Sequence, residues 1–156
     1  MKRLLVALDG SARAMGVLQA GVAQAQSIGA ALVLLRAIGI PGDLPFTAMA
    51  MSPAEVLSLL EQRARTELTE LAHAAVPPDL PWEARIETGT AWQTICEAAQ
   101  ALDAVLIVIG SHGYGALDRV LGTTAARVVN HADRSVLVVR IRDATVAARA
   151  ADGRTH

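Results

Sequence analysis

At 156 residues, with 53% apolar and 19% charged side chains, the chain can bury one sizeable core and is too apolar to be disordered. Its net charge of −1, from 14 Lys+Arg against 15 Asp+Glu with no cationic run, argues against nucleic acid or an anionic membrane as the main partner. The single cysteine, Cys96, excludes an intrachain disulfide.

Lys2 and Arg3 precede an apolar stretch that superficially resembles a leader, but Asp9 interrupts it before a signal-peptide core is complete. No apolar run approaches the roughly 18 residues of a membrane span. A soluble cytoplasmic protein is therefore expected. The first apolar run covers residues 4–8 and ends in Asp9-Gly10-Ser11. Residues 14–28 follow with Val17, Leu18, Val22, Ala25 and Ile28 at helical spacing, and Gly29 stands at the C-terminal cap position. Residues 31–35 read as a second buried strand. The stretch 39–51 is a long loop with two prolines. Ser52-Pro53-Ala54-Glu55 is a capping box with proline at the first helical position, opening a helix that Pro77-Pro78 stops after Ala75.

Residues 82–87 alternate Trp82, Ala84 and Ile86 with Glu83, Arg85 and Glu87, the pattern of a strand with one wet face. A third helix opens at the box-like Thr90-Ala91-Trp92-Gln93 and runs to about Ala101. Strands over 105–109 and 135–139 flank a fourth helix over 123–131. The order β-α-β-α-β-α-β-α-β predicts a three-layer α/β domain, a five-stranded parallel sheet in the order 3-2-1-4-5 with helices on both faces. It occupies residues 1–142, with a polar tail over 143–156.

In such sheets ligands bind beyond the carboxyl ends of the strands, where the winding reverses. Two strand ends carry unusual residues: Asp9-Gly10-Ser11, and Gly110-Ser111-His112-Gly113. Gly110 and Gly113 allow close backbone approach. Gly122-Thr123-Thr124 then opens a helix, whose free N–H groups carry roughly half a positive charge. These features suit a polyphosphate. Lys2 is the only lysine, so a Walker-type loop is excluded and backbone amides and hydroxyls must do the holding.

The segment GSHGYGALDRVLGTTAARVVNHADRSVLVVR resembles the C-terminal half of the universal stress protein family. RLLVALDGS, followed by a helix and ALVLLRAI, resembles the family's first β-α-β unit, so the resemblance spans about residues 2–140. The family's nucleotide-binding members carry G-x-x-G, a spacer, then G-[S/T]. Here the spacer, Tyr114 to Leu121, is one residue shorter and reads as a variant loop. The resemblance implies that ATP, ADP or AMP is bound, with Mg2+ on its phosphates. Asp9 would contact the ribose or the phosphate-bound metal. Ala37 would present its backbone to the adenine edge, with Ala7 and Ile109 lining the base pocket. Gly110, Gly113, Gly122, Thr123 and Thr124 would hold the phosphates, with Ser11 and His112 on the same two turns. Members of the family also pair through the last strand, here Ser135 to Val139, which implies a homodimer.

Several residues admit plainer readings. Asp9 can cap the first helix together with Ser11 while still meeting a ligand. His112 has no orienting carboxylate nearby in sequence, and Ser111 lacks nucleophile-elbow spacing, so neither reads as catalytic. Cys96 reads as a small core residue. Arg36 either reaches a phosphate or snorkels to solvent. Arg119 and Arg127 either add charge to the phosphate turn or face water, and Met49 and Met51 form either a soft lid or an incidental loop. The four histidines lack ligand spacing. With no positioned base for water, slow or absent hydrolysis is expected, which makes the protein a regulatory binder and not an enzyme. The alternatives are a dimeric interaction module without nucleotide, and an ATP-pyrophosphatase or other adenylating enzyme. The short Asp9-Gly10-Ser11 turn argues against the latter.

Overall fold

The computed structural model describes residues 1–39, 50–111 and 121–141. Five parallel strands form one sheet: β1 (Lys2–Ala7), β2 (Ala30–Ile38), β3 (Trp82–Thr88), β4 (Leu106–Gly110) and β5 (Val136–Val139). Their spatial order is β3-β2-β1-β4-β5, as the alternation of elements predicts. The helices α1 (Ala14–Ile28), α2 (Pro53–Ala75), α3 (Ala91–Ala101) and α4 (Thr123–His131) connect them. Residues 40–49, 112–120 and 142–156, the last including the expected 143–156 tail, lie outside the described residues.

Strand alternation divides the apolar side chains into two cores. Leu4, Val6, Leu8, Leu32 and Leu34 pack with Val17, Leu18 and Val22 of α1 and Leu68 and Ala72 of α2. Leu5, Ala7, Val33, Leu35, Ile107 and Ile109 pack on the other face with Ile95, Ala98 and Ala99 of α3 and Ala125 and Val128 of α4. β1, β2 and β4 are covered on both sides, which explains their unbroken apolar runs. β5 is an edge strand whose four residues are all only half-buried, although its apolar run is as unbroken as theirs.

Local signals act as expected at most helix ends. Gly29 takes the left-handed conformation (φ 63°) and its N–H donates to Ala25 O. Ser52 Oγ accepts from Glu55 N–H at 3.2 Å while Glu55 Oε2 accepts from Ser52 N–H at 2.6 Å, a complete capping box. The capping box expected at Thr90 does not form, because the Thr90 side chain makes no cap hydrogen bond. On β3, Trp82, Ala84 and Ile86 pack on the first core. The wet residues pair among themselves, Arg85 Nε meeting Glu83 Oε1 at 3.0 Å and Arg85 Nη1 meeting Glu87 Oε1 at 3.9 Å. No helix among the described residues is long and apolar enough to cross a membrane.

Candidate functional site

β2 and β3 lie on one side of β1, β4 and β5 on the other, so the winding reverses between β1 and β4. Beyond the carboxyl ends of these strands lies a cavity of about 210 Å³. Seven of the sequence-predicted residues line it: Ala7, Asp9, Ser11, Ala37, Ile109, Gly110 and Thr124. His112 and Gly113 lie outside the described residues. Gly122 and Thr123 stand at the start of α4, next to Thr124.

The Asp9 turn is preorganised. Asp9 Oδ1 accepts from the Ser11 N–H at 3.0 Å and from the Ser11 hydroxyl at 2.6 Å, and Ser11 Oγ accepts from the Arg13 N–H at 3.3 Å. Asp9 and Ser11 therefore form an Asx turn ahead of α1 and do not cap it: the N-cap is Arg13, and the helix start has no side-chain cap hydrogen bond. The second carboxylate oxygen of Asp9 is left for other partners, on a side chain that faces solvent.

At the opposite wall, α4 begins at Gly122 with no side-chain cap. The Gly122 amide is not available to a phosphate, because it donates to Ser111 O at 2.9 Å. This bond joins the end of β4 to the start of α4. The open amides of this helix start are consequently those of Thr123, Thr124 and Ala125, since the next, Ala126, already donates to Gly122 O. Thr124 and Ala125 both line the cavity.

The end of the cavity beside β2 rests on strand geometry. Backbone groups of successive strand residues point to alternate neighbours. Leu35 O accepts from Leu8 N–H on the β1 side, and Ile38 O accepts from Gly89 N–H on the β3 side, both at 2.9 Å. The N–H and C=O of Ala37 therefore face the β1 side. Pairing of β1 with β2 ends at Ala7 and Leu35, so these two groups have no ladder partner. They sit at the cavity wall as one donor beside one acceptor.

Arg36 takes neither of its two expected roles. Its Nε donates to Leu8 O at 3.0 Å, Nη2 to Asp9 O at 2.9 Å and Nη1 to Glu67 Oε2 at 3.1 Å. Arg63 also donates to Glu67, at 2.9 Å, and these hydrogen bonds from Arg63 and Arg36 hold the Glu67 carboxyl below its ordinary range. Arg127 lies over the Trp92 ring, 6.0 Å from its centroid, and Trp92 also stacks on His131 at 4.5 Å. Met51 is exposed beside the start of α2, while Met49 and Arg119 lie outside the described residues. Cys96 packs against the second core, and burial pushes its thiol up from the usual range. No group of three or more His, Cys, Asp or Glu gathers to hold a metal among the described residues.

The sequence reading missed Arg13 at the N-cap of α1, Ala14 and Val17 of α1, and Ala91 and Ile95 of α3, all of which line the cavity. Arg13 was legible in principle, as a cation two residues beyond the Asp9-Gly10-Ser11 turn. The helix residues carry no local mark, because only the packing of helices on the sheet aims them at the strand ends.

The universal stress protein family model matches residues 1–140. The chain belongs to the universal stress protein family. A curated relative, universal stress protein A homolog 1 of Coxiella burnetii, is 29% identical over 144 residues, covering 91% of this chain and 98% of that protein. Among solved structures, the universal stress protein UspA from Lactobacillus plantarum superposes with a TM-score of 0.67 at 26% identity, covering 89% of this chain and 97% of that one. A universal stress protein in complex with cAMP superposes at 0.62 with 24% identity, covering 89% and 96%. Another from Archaeoglobus fulgidus, in complex with dAMP, gives 0.62 at 18% identity, covering 88% and 97%. The last two establish a common fold, and both are complexes with an adenine nucleotide.

Proposed function

We propose that this universal stress protein binds ATP or a related adenine nucleotide in the cavity between β1 and β4 and acts as a regulatory binder, not as an enzyme. The observation that carries the reading is the unpaired N–H and C=O of Ala37 at one wall, facing an uncapped helix start at the other. An adjacent donor and acceptor match N1 and the N6 amino group of adenine. Ala7, Leu35, Ile95 and Ile109 give the base an apolar seat. The amides of Thr123, Thr124 and Ala125, with the Thr124 hydroxyl, then receive phosphates, and Gly110 lets the chain pass close to them. Asp9 is placed to meet the ribose or a phosphate-bound Mg2+ through its free carboxylate oxygen. The cAMP and dAMP complexes of fold neighbours support an adenine nucleotide as the ligand class.

The described residues hold no histidine or carboxylate at the α4 end of the cavity, so we assign no base to an attacking water there and expect slow hydrolysis at most. Cytoplasmic residence suits such a ligand and the single thiol Cys96. Thermal denaturation with and without MgATP, ADP and AMP tests the reading. Ligand at about a hundred times its dissociation constant adds roughly 2.7 kcal/mol, and no shift with any of the three overturns it. Steady turnover at about 1 s⁻¹ or faster overturns the assignment as a binder.

A homodimer through β5 is the second part of the proposal. Val136, Leu137, Val138 and Val139 are all half-buried at an edge with no further strand beyond it among the described residues, and an apolar edge strand of this kind calls for a covering partner.

A further inference from the structure

The end of β1 is held by a side chain where its neighbouring strand would be expected to hold it. Leu8 N–H continues the ladder by donating to Leu35 O. In a regular parallel pair the Leu8 carbonyl would next accept from the Ala37 N–H. It accepts from Arg36 Nε instead, at 3.0 Å, and the following carbonyl, Asp9 O, accepts from Arg36 Nη2 at 2.9 Å. Arg36 points to the α1–α2 face, where Nη1 meets Glu67 at 3.1 Å. Ala37, one residue on, has its side chain on the opposite face. The guanidinium thus draws Leu8 and Asp9 toward α2 and away from the β2 backbone. Its side chain is only 11% exposed, and all three nitrogens are engaged.

We propose that Arg36, braced by Glu67, is a positioning residue that keeps the Ala37 backbone edge open for the base and fixes the Asp9 turn beside it. The base-binding role rests on the nucleotide reading above; the opening of the edge does not. A rigid planar fork is what this job requires, because two successive carbonyls and a carboxylate lie around one group. A lysine ammonium offers no such fixed spread of donors. Remove the guanidinium and the Leu8 carbonyl is orphaned beside a free Ala37 N–H. The two then pair, the ladder gains one bond, and the base loses its donor.

The test is residue-resolved amide exchange on wild type and Arg36→Met, followed by nucleotide titration. In wild type the Ala37 amide exchanges fast for a strand residue. In Arg36→Met it slows by about tenfold or more, as one new ladder hydrogen bond would impose. A side chain with a merely structural role would speed exchange on removal, not slow it. Wild type prefers ATP to 1-deaza-ATP, which lacks the N1 that accepts from the Ala37 N–H, by about tenfold, and Arg36→Met binds the two alike while tripolyphosphate affinity is unchanged. Glu67→Gln, which loosens the brace and keeps the fork, moves both readouts in the same direction by less, and it carries the test if Arg36→Met does not fold. A protected Ala37 amide in wild type, or one that stays fast in a folded Arg36→Met with its ATP preference intact, overturns the proposal. If the exchange pattern holds and wild type binds no nucleotide, the clamp stands and the nucleotide reading fails.

Discussion

Gly21 of α1 lies so close to Val6 of β1 that a Cβ on it would stand 2.6 Å from Val6 Cγ2. This contact seats α1 on the sheet and thereby sets the height of its N-terminal turn above the end of β1. Val6 is fully buried and β-branched, so it cannot rotate out of the way. Alanine in a helix gains about 1 kcal/mol over glycine, whereas overpacking a close-packed core costs roughly 1–3 kcal/mol. The second effect wins. Gly21→Ala should lower stability by about 1 kcal/mol, read as a drop of a few degrees in Tm. Gly16 on the same helix provides the control. Its Cβ would meet Ile141 Cδ1 at 2.5 Å, but that atom ends a half-buried side chain beyond β5 that can turn aside. Gly16→Ala should change stability by less than about 0.5 kcal/mol. Equal losses at the two sites would show that the helix seat has no special role.

Arg134 provides a second, independent brace, on the far face of the sheet. Its Nη1 donates to Ala99 O and to Ala104 O, both at 2.8 Å, across the turn that joins α3 to β4. Asp103 in that turn holds a left-handed backbone (φ 49°), and Asp133 grips the same guanidinium at 2.7 Å. The hydrogen bond from Arg134 in turn holds the Asp133 carboxyl below its ordinary range. Arg134→Met leaves two carbonyls of buried residues short of a charged donor and should cost about 2 kcal/mol. Urea denaturation would read this as a lower midpoint at unchanged slope. Retained stability would place water on those carbonyls instead.

The contrast between the two arginines shows what the sequence could carry. Helix ends were legible because Gly29, Pro53 and Pro77 act on their own neighbours in the chain. The sheet order followed from alternation and handedness, and the cavity position from the winding rule. Arg36 was not legible, because its role depends on where β1 stops pairing with β2, and pairing length leaves no mark on residues 4–9. Gly122, which the family resemblance places among the phosphate holders, is a similar case: its bond to Ser111 O joins residues eleven apart and leaves no mark on either. The motif identified the right turn, and only the fold could show which of its donors are already in use.

Acid should loosen the α2 side of the crevice. In the folded chain hydrogen bonds from Arg63 and Arg36 lower the Glu67 pKa. A carboxyl lowered in this way binds protons less readily when folded than when unfolded. Its contribution is therefore complete above the unfolded value of about 4.3 and is lost as pH falls through the lower folded value. Tm measured from pH 7 down to pH 3 should fall less steeply in Glu67→Gln than in wild type over the acid part of the range. Parallel curves would mean that Glu67 contributes nothing to the brace.

The edge strand allows a test of the dimer that spares the monomer fold. Ile107 N–H donates to Ser135 O, and Ser111 N–H donates to Val139 O. By alternation the N–H and C=O groups of residues 135, 137 and 139 face β4, and those of 136 and 138 face outward. Proline at position 138 therefore removes an outward donor and no bond to β4, as edge strands tolerate. Its ring also stands where a second copy of the strand would pair. Val138→Pro should sediment as a monomer with far-UV circular dichroism like that of wild type, while wild type sediments as a dimer. A wild-type monomer would remove the dimer outright. A dimeric Val138→Pro would move the contact from the backbone edge of β5 to its side chains, where Val129 of α4 stands exposed nearby in sequence.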